Sequence, residues 1–177
     1  MRSIFGALLA GLAVVVAGAG SANAGSVEVK GPHICCGQCV NIAKKILAKV
    51  EGVSEVTADA KTKIVAFTAK DSAAAKAGVK ALFDGGFYGK ATEDGKAIKV
   101  DVAGAKKGDK VTKVAVSKVH VCCGACKNAI KAIFKGSTIS YEGKGPQPTV
   151  IIEGADLEAS AVLSALRKAG FNGTIKK

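Results

Sequence analysis

The sequence predicts an α+β protein in which one β-α-β-β-α-β unit is written twice behind an N-terminal export signal. Three observations predict it. His33-Ile34-Cys35-Cys36-Gly37-Gln38-Cys39 returns as His120-Val121-Cys122-Cys123-Gly124-Ala125-Cys126, with Asn41 and Asn128 following at the same distance. Apolar positions switch between a period of two and i, i+3, i+4 spacing in the same order in both halves. The first two dozen residues carry the charge and size pattern of a leader.

The leader comes first. Arg2 gives a short positive start, Ile4 to Ala17 is an apolar run, and Ala22-Asn23-Ala24 is an A-x-A cleavage site. Residues 1–24 are therefore expected to be a signal peptide, although Ser3 to Ala24 is also long enough to be a membrane anchor. Small residues before the site favour cleavage. The mature chain is then expected in a periplasm or outside the cell. Its 153 residues after Ala24 suffice for two small domains.

The first copy opens with a strand over residues 26–34, interrupted at Pro32, which has no ladder donor. A helix runs from Gly37 to about Val50 with Val40, Ala43, Ile46, Leu47 and Val50 on one face. Strands follow at 53–58 and 63–69, separated by a turn at Asp59 to Thr62. Asp71 or Ser72 caps a second helix carrying Val79, Leu82 and Phe83. Gly85-Gly86 stops it, and residues 87–92 form the closing strand. Residues 97–102 alternate like a further strand beside that one.

Residues 103–110, rich in Gly and Lys, are the linker between a first domain of 25–102 and a second of 111–177. The second copy predicts strands at 111–121, 138–141, 149–152 and 171–175, with helices at 125–135 and 156–168. Its end matches the first at an offset of 84 rather than 87 (81 to 165 against 33 to 120), so three residues are lost between site and end.

All six cysteines and both histidines of the chain lie in the two repeated runs. Core packing gives no reason for that restriction. Thiolate and imidazole bind borderline and soft metal ions. Each C-G-x-C stands where a strand gives way to a helix, whose free N–H groups favour thiolates. Cys36 and Cys39, and Cys123 and Cys126, are the core ligand candidates. Cys35, Cys122, His33 and His120 are further candidates, the histidines being open to a purely structural reading. Along an extended strand His33 and Cys35 face one way, whereas Cys35 and Cys36 do so only if the backbone turns.

These runs resemble the G-M-x-C-x-x-C loop of the heavy-metal-associated domain family. That family includes the ferredoxin-like module of copper chaperones, metal-pumping ATPase tails and the periplasmic mercuric-ion-binding protein. Gly52-Val53-Ser54-Glu55-Val56, Gly86-Phe87 and Gly170-Phe171 are similar to further parts of its pattern. The resemblance implies two tandem ferredoxin-like βαββαβ domains that bind and hand over a soft metal ion. Copper(I) is the first choice, with zinc or mercury as alternatives. Cys36, Cys39, Cys123 and Cys126 fall on the family's ligand positions. The departures are repeated: Ile34 and Val121 replace its Met, Cys35 and Cys122 a small residue, and His33 and His120 a Gly. A third thiolate permits three-coordinate sulfur binding, and the imidazole would complete Cys₃His, which suits zinc.

On this reading one ion is expected per copy, with no catalysis. The partners are metal ions and, for delivery, a metal-transporting membrane protein or another metal-binding domain. Without Arg2 the chain has 25 basic and 14 acidic residues, a net charge of +11. Nucleic acid is a poor partner, because the lysines are dispersed and aromatics make up only 5%. Two alternatives stay open. One is a thiol–disulfide oxidoreductase, although the element order is not thioredoxin's and no proline recurs opposite the cysteines. The other is a disulfide-stapled interaction module, for instance with Cys35 bridged to Cys122.

Overall fold

The computed structural model describes residues 24–176, so the expected signal peptide lies outside the described residues except for Ala24. The first copy comprises β1 (Gly25–Lys30), α1 (Gly37–Leu47), β2 (Val53–Asp59), β3 (Ile64–Ala69), α2 (Ser72–Asp84), β4 (Lys90–Glu93) and β5 (Lys96–Ala97). The second comprises β6 (Val111–Ser117), α3 (Gly124–Ile133), β7 (Thr138–Glu142), β8 (Thr149–Leu157), α4 (Ala159–Lys168) and β9 (Thr174–Ile175). Among the described residues, four helices and two antiparallel sheets make a mixed α+β protein, compatible with the expected pair of ferredoxin-like units.

Strand order is β2-β3-β1-β4-β5 in one sheet and β7-β8-β6-β9 in the other. In both, the strand leading into the cysteine loop is central. Val27 and Val29 on β1, and Val114 and Val116 on β6, alternate inward under the helices. Ala43 and Leu47 of α1, with Val79, Leu82 and Phe83 of α2, close the first core. Ile130 of α3 and Val162, Leu163 and Leu166 of α4 close the second. Asp71 caps α2 as expected, its carboxylate accepting from the Ala74 N–H at 2.7 Å.

Several element limits differ from the sequence reading, and each difference has a backbone cause. β1 stops at Lys30 rather than residue 34, because Gly31 has φ +89° and Pro32 has no N–H to pair. β6 stops at Ser117 rather than 121, where Lys118 turns to φ +59°. α1 ends at Leu47 rather than near Val50, tightening through Lys49 N–H to Ile46 O and Val50 N–H to Leu47 O. α4 begins at Ala159 rather than 156, because β8 continues to Leu157, which pairs with Val111 across a register shift. The extra strand expected at 97–102 is reduced to β5, Lys96–Ala97, a hairpin partner of β4, and residues 98–102 are not in a strand.

The two closing strands are also shorter than expected, starting at Lys90 and Thr174 rather than at Phe87 and Phe171. Those phenylalanines pair with each other in an antiparallel bridge between the copies. Around it, Tyr88 N–H donates to Gly170 O at 2.9 Å and Asn172 N–H to Gly86 O at 2.8 Å. Backbone groups expected to serve each copy's own sheet thus join the two copies. Among the described residues, no helix is long and apolar enough to cross a membrane.

Candidate metal centre

Each cysteine loop is held from below by an apolar anchor and from the side by the other copy. Ile34 and Val121, at 0% and 4% exposure, plug the loops into their own cores. Cys36 and Cys123 are the extended N-cap residues of α1 and α3, and neither helix start has a side-chain cap. The first-turn N–H groups are therefore open to sulfur. Cys39 and Cys126, in the first turns, are fully buried; the other four cysteines are half-buried.

Within each copy the C-G-x-C sulfurs stand together, Cys36 to Cys39 and Cys123 to Cys126 both at 3.7 Å. Cys35 lies 3.6 Å from Cys39, and Cys122 lies 4.0 Å from Cys126. The backbone does turn between Cys35 and Cys36, whose sulfurs both come within 4.8 Å of each other and of Cys123. Equally short separations cross between copies. Cys35 is 3.6 Å from both Cys123 and Cys126, Cys36 is 3.9 Å from Cys123, and Cys39 is 3.4 Å from Cys122. All six cysteines are free.

The histidines cross over. His33 stacks on Phe171 of the other copy with ring centroids 4.1 Å apart, and His120 stacks on Phe87 at 4.2 Å. A ring nitrogen of His120 lies within 4.8 Å of the sulfurs of Cys39, Cys122 and Cys126. A ring nitrogen of His33 has the same relation to Cys35 and Cys126. His120 is fully buried, yet neither of its ring nitrogens has a hydrogen-bond partner, and Nε2 of His33 has none either. A buried imidazole facing sulfur with no partner is poised for a ligand.

The thiols divide by environment. The hydrogen bond from the Cys126 thiol holds Cys39 as a thiolate, its pKa pulled down to about 2. The same shared proton, with burial, pushes Cys126 far up. Burial raises Cys35 to about 12 and also raises Cys122. Cys123 is lowered to about 7, first by the Cys126 backbone N–H, which is the helix-start effect expected from sequence. Burial lowers His33 below the usual imidazole range, favouring the neutral ring that binds metal.

All eight residues singled out in the sequence therefore meet at one place. The residues offer S₃N, S₂N and S₃ groups there: Cys39, Cys122, Cys126 with His120; Cys35, Cys126 with His33; and Cys35, Cys36, Cys123. A cleft of about 300 Å³, lined by Cys122, Cys123, Lys127, Tyr141 and Pro148, leads to it from the second copy. Sequence reasoning missed the residues that bring the loops together. Gly86 and Gly170, at φ +88° and +86°, lie so close to the other copy's backbone that a Cβ would overlap the His120 N and His33 N regions. Asn172 is buried and donates through Nδ2 to Phe83 O at 3.0 Å. The signal was available in the repeated Gly-Phe pair, which reads equally well as the start of a strand.

Comparison with known proteins finds no matching family model, no similar curated protein and no similar solved structure. The fold and site by themselves define a class: a twofold-repeated α+β protein whose cysteine and histidine cluster is positioned to hold a metal ion.

Proposed function

We propose that this chain is an exported soft-metal-binding protein built of two tandem heavy-metal-associated domains. It takes up copper(I), with zinc or mercury as alternatives, for sequestration or trafficking rather than for catalysis. The observation that carries this reading is the set of sulfur separations, 3.4–4.0 Å, among six free cysteines. Six sulfurs so close, with the Cys39 thiolate set among protonated thiols, make a preassembled soft-donor set, and copper(I) is the thiophilic candidate. The unpartnered histidines support it further.

Full burial of Cys39 and Cys126 favours sequestration over rapid surface exchange. Delivery to a membrane metal transporter or another metal-binding domain would use the half-buried Cys123 beside its cleft. The test is metal analysis of the exported protein, purified anaerobically, followed by competition with a copper(I) chelator. Copper retained by the protein supports the reading; a metal-free protein at every chelator concentration would sink it.

A redox role is the second reading, favoured by the 3.7 Å separation within each C-G-x-C. Insulin reduction at catalytic rates by the reduced protein would establish it in place of metal binding.

A further inference from the structure

We infer that the six cysteines form one shared polynuclear copper(I)–thiolate site spanning both copies, filled cooperatively, instead of two independent sites. The inference rests on the soft-metal reading above and adds its stoichiometry and coupling.

The first ground is connectivity. Cys35 approaches Cys123 and Cys126 as closely as it approaches Cys39, its own copy's buried cysteine, at 3.6 Å each. Cys39 stands closer to Cys122, at 3.4 Å, than to Cys36, at 3.7 Å. The sulfurs do not divide into two sets of three. Cys35, Cys123 and Cys126 form a nearly equilateral triangle with sides of 3.6, 3.6 and 3.7 Å, and it draws one corner from the other copy.

The second ground is length. With a metal–sulfur bond of about 2.3 Å, two sulfurs opposed across one ion stand about 4.6 Å apart, and three around one ion about 4.0 Å apart. The observed 3.4–4.0 Å lies nearer the spacing around three- or four-coordinate ions than that of linear pairs. If each sulfur bridges two ions and each ion takes three sulfurs, six sulfurs accommodate about four copper(I) ions. Each cysteine that still carries a proton gives it to water as its copper–sulfur bonds form, Cys39 binding as the thiolate it already is, and no electron changes hands.

The third ground is the exchanged wall. His120 faces Cys39 of the other copy while stacking on that copy's Phe87, and His33 faces Cys126 while stacking on Phe171. Phe87 and Phe171 are themselves bridged. Neither copy alone encloses its own cysteines. The first ions to bind clamp the halves together and complete the site for the rest, which makes filling cooperative.

Native mass spectrometry of the full mature chain, reduced and titrated anaerobically with copper(I) buffered by a chelator, tests this. At half loading the expected spectrum holds metal-free and about four-copper species, with one- and two-copper species scarce. X-ray absorption of the loaded protein should show copper neighbours around copper. In Cys35→Ser the cooperative species should disappear, with at least a tenfold fall in affinity for copper on both copies, the circular dichroism spectrum being unchanged. Stepwise filling that stops at two ions without copper–copper neighbours would overturn the shared site and leave the soft-metal reading standing. Loss of all copper to the chelator would overturn both. The wild-type titration decides the matter should the variant fail to fold.

Discussion

The imidazole of His120 lies flat against the ring of Phe87, centroids 4.2 Å apart, although the two belong to different copies of the repeat. Phe87 is fully buried at the seam between the copies and bridges Phe171 there. Phe87→Ala removes the platform from His120 and the wall from the cluster. A loss of about 3–5 kcal/mol is expected for such a truncation, read as a lower denaturation midpoint. Copper affinity should fall with it, whereas truncating Phe67, buried in the first core, should lower stability with a smaller effect on affinity.

Gly86 makes a sharper prediction. Its φ of +88° is unfavourable for other residues, and an added Cβ would overlap backbone of the other copy near His120. Gly86→Ala should cost at least ~1–3 kcal/mol through strain alone and should part the copies, increasing the radius of gyration in solution scattering. Gly95→Ala is the control. That residue also has φ +78°, but its Cβ would meet open space, so the strain should appear without separation or loss of metal.

His120 is fully buried with two unpartnered ring nitrogens. Such a group costs the metal-free protein roughly 1–3 kcal/mol. His120→Leu should therefore leave the metal-free melting temperature unchanged or higher while reducing the increase that copper produces. A lower metal-free melting temperature with an unchanged copper effect would make the ring structural.

Uptake of metal should be pH-dependent in a stated direction. Burial raises Cys35 to about 12 and raises Cys122 as well, so both carry protons at neutral pH that the metal must displace. Cys39, held at about 2, has none to lose. Apparent copper affinity should thus rise with pH by about tenfold per unit for each proton released. Competition titrations at several pH values, with proton release measured in weak buffer, check this. Cys123, lowered to about 7 and half-buried, should be the first cysteine alkylated in the metal-free protein as pH rises through neutrality.

Ile34 is fully buried beneath the first loop. Ile34→Asp places an unpaired charge there and should destabilise the chain by several kcal/mol. An unaffected melting curve would contradict the placement of the loop anchor.

Periodicity and turn residues specified the order of elements, because apolar spacing and Gly, Pro and Asp positions act within a few residues of chain. The eight candidate ligands were legible for a similar reason. Six cysteines and two histidines confined to two matching runs have no explanation in core packing. Element ends were less legible wherever a backbone group found a partner outside its own copy, as at Phe87, Asn172 and His33, whose N–H donates to Gly170 O at 2.9 Å.

What tertiary structure alone decided is that the two runs face each other and mingle their sulfurs. Sequence spacing constrains how Cys36 meets Cys39 three residues on, since one helical turn spans that distance. It places no constraint on how Cys39 meets Cys122. That contact is set by a bridge of phenylalanines, two left-handed glycines and a buried asparagine, each reading as ordinary until both copies are folded and packed.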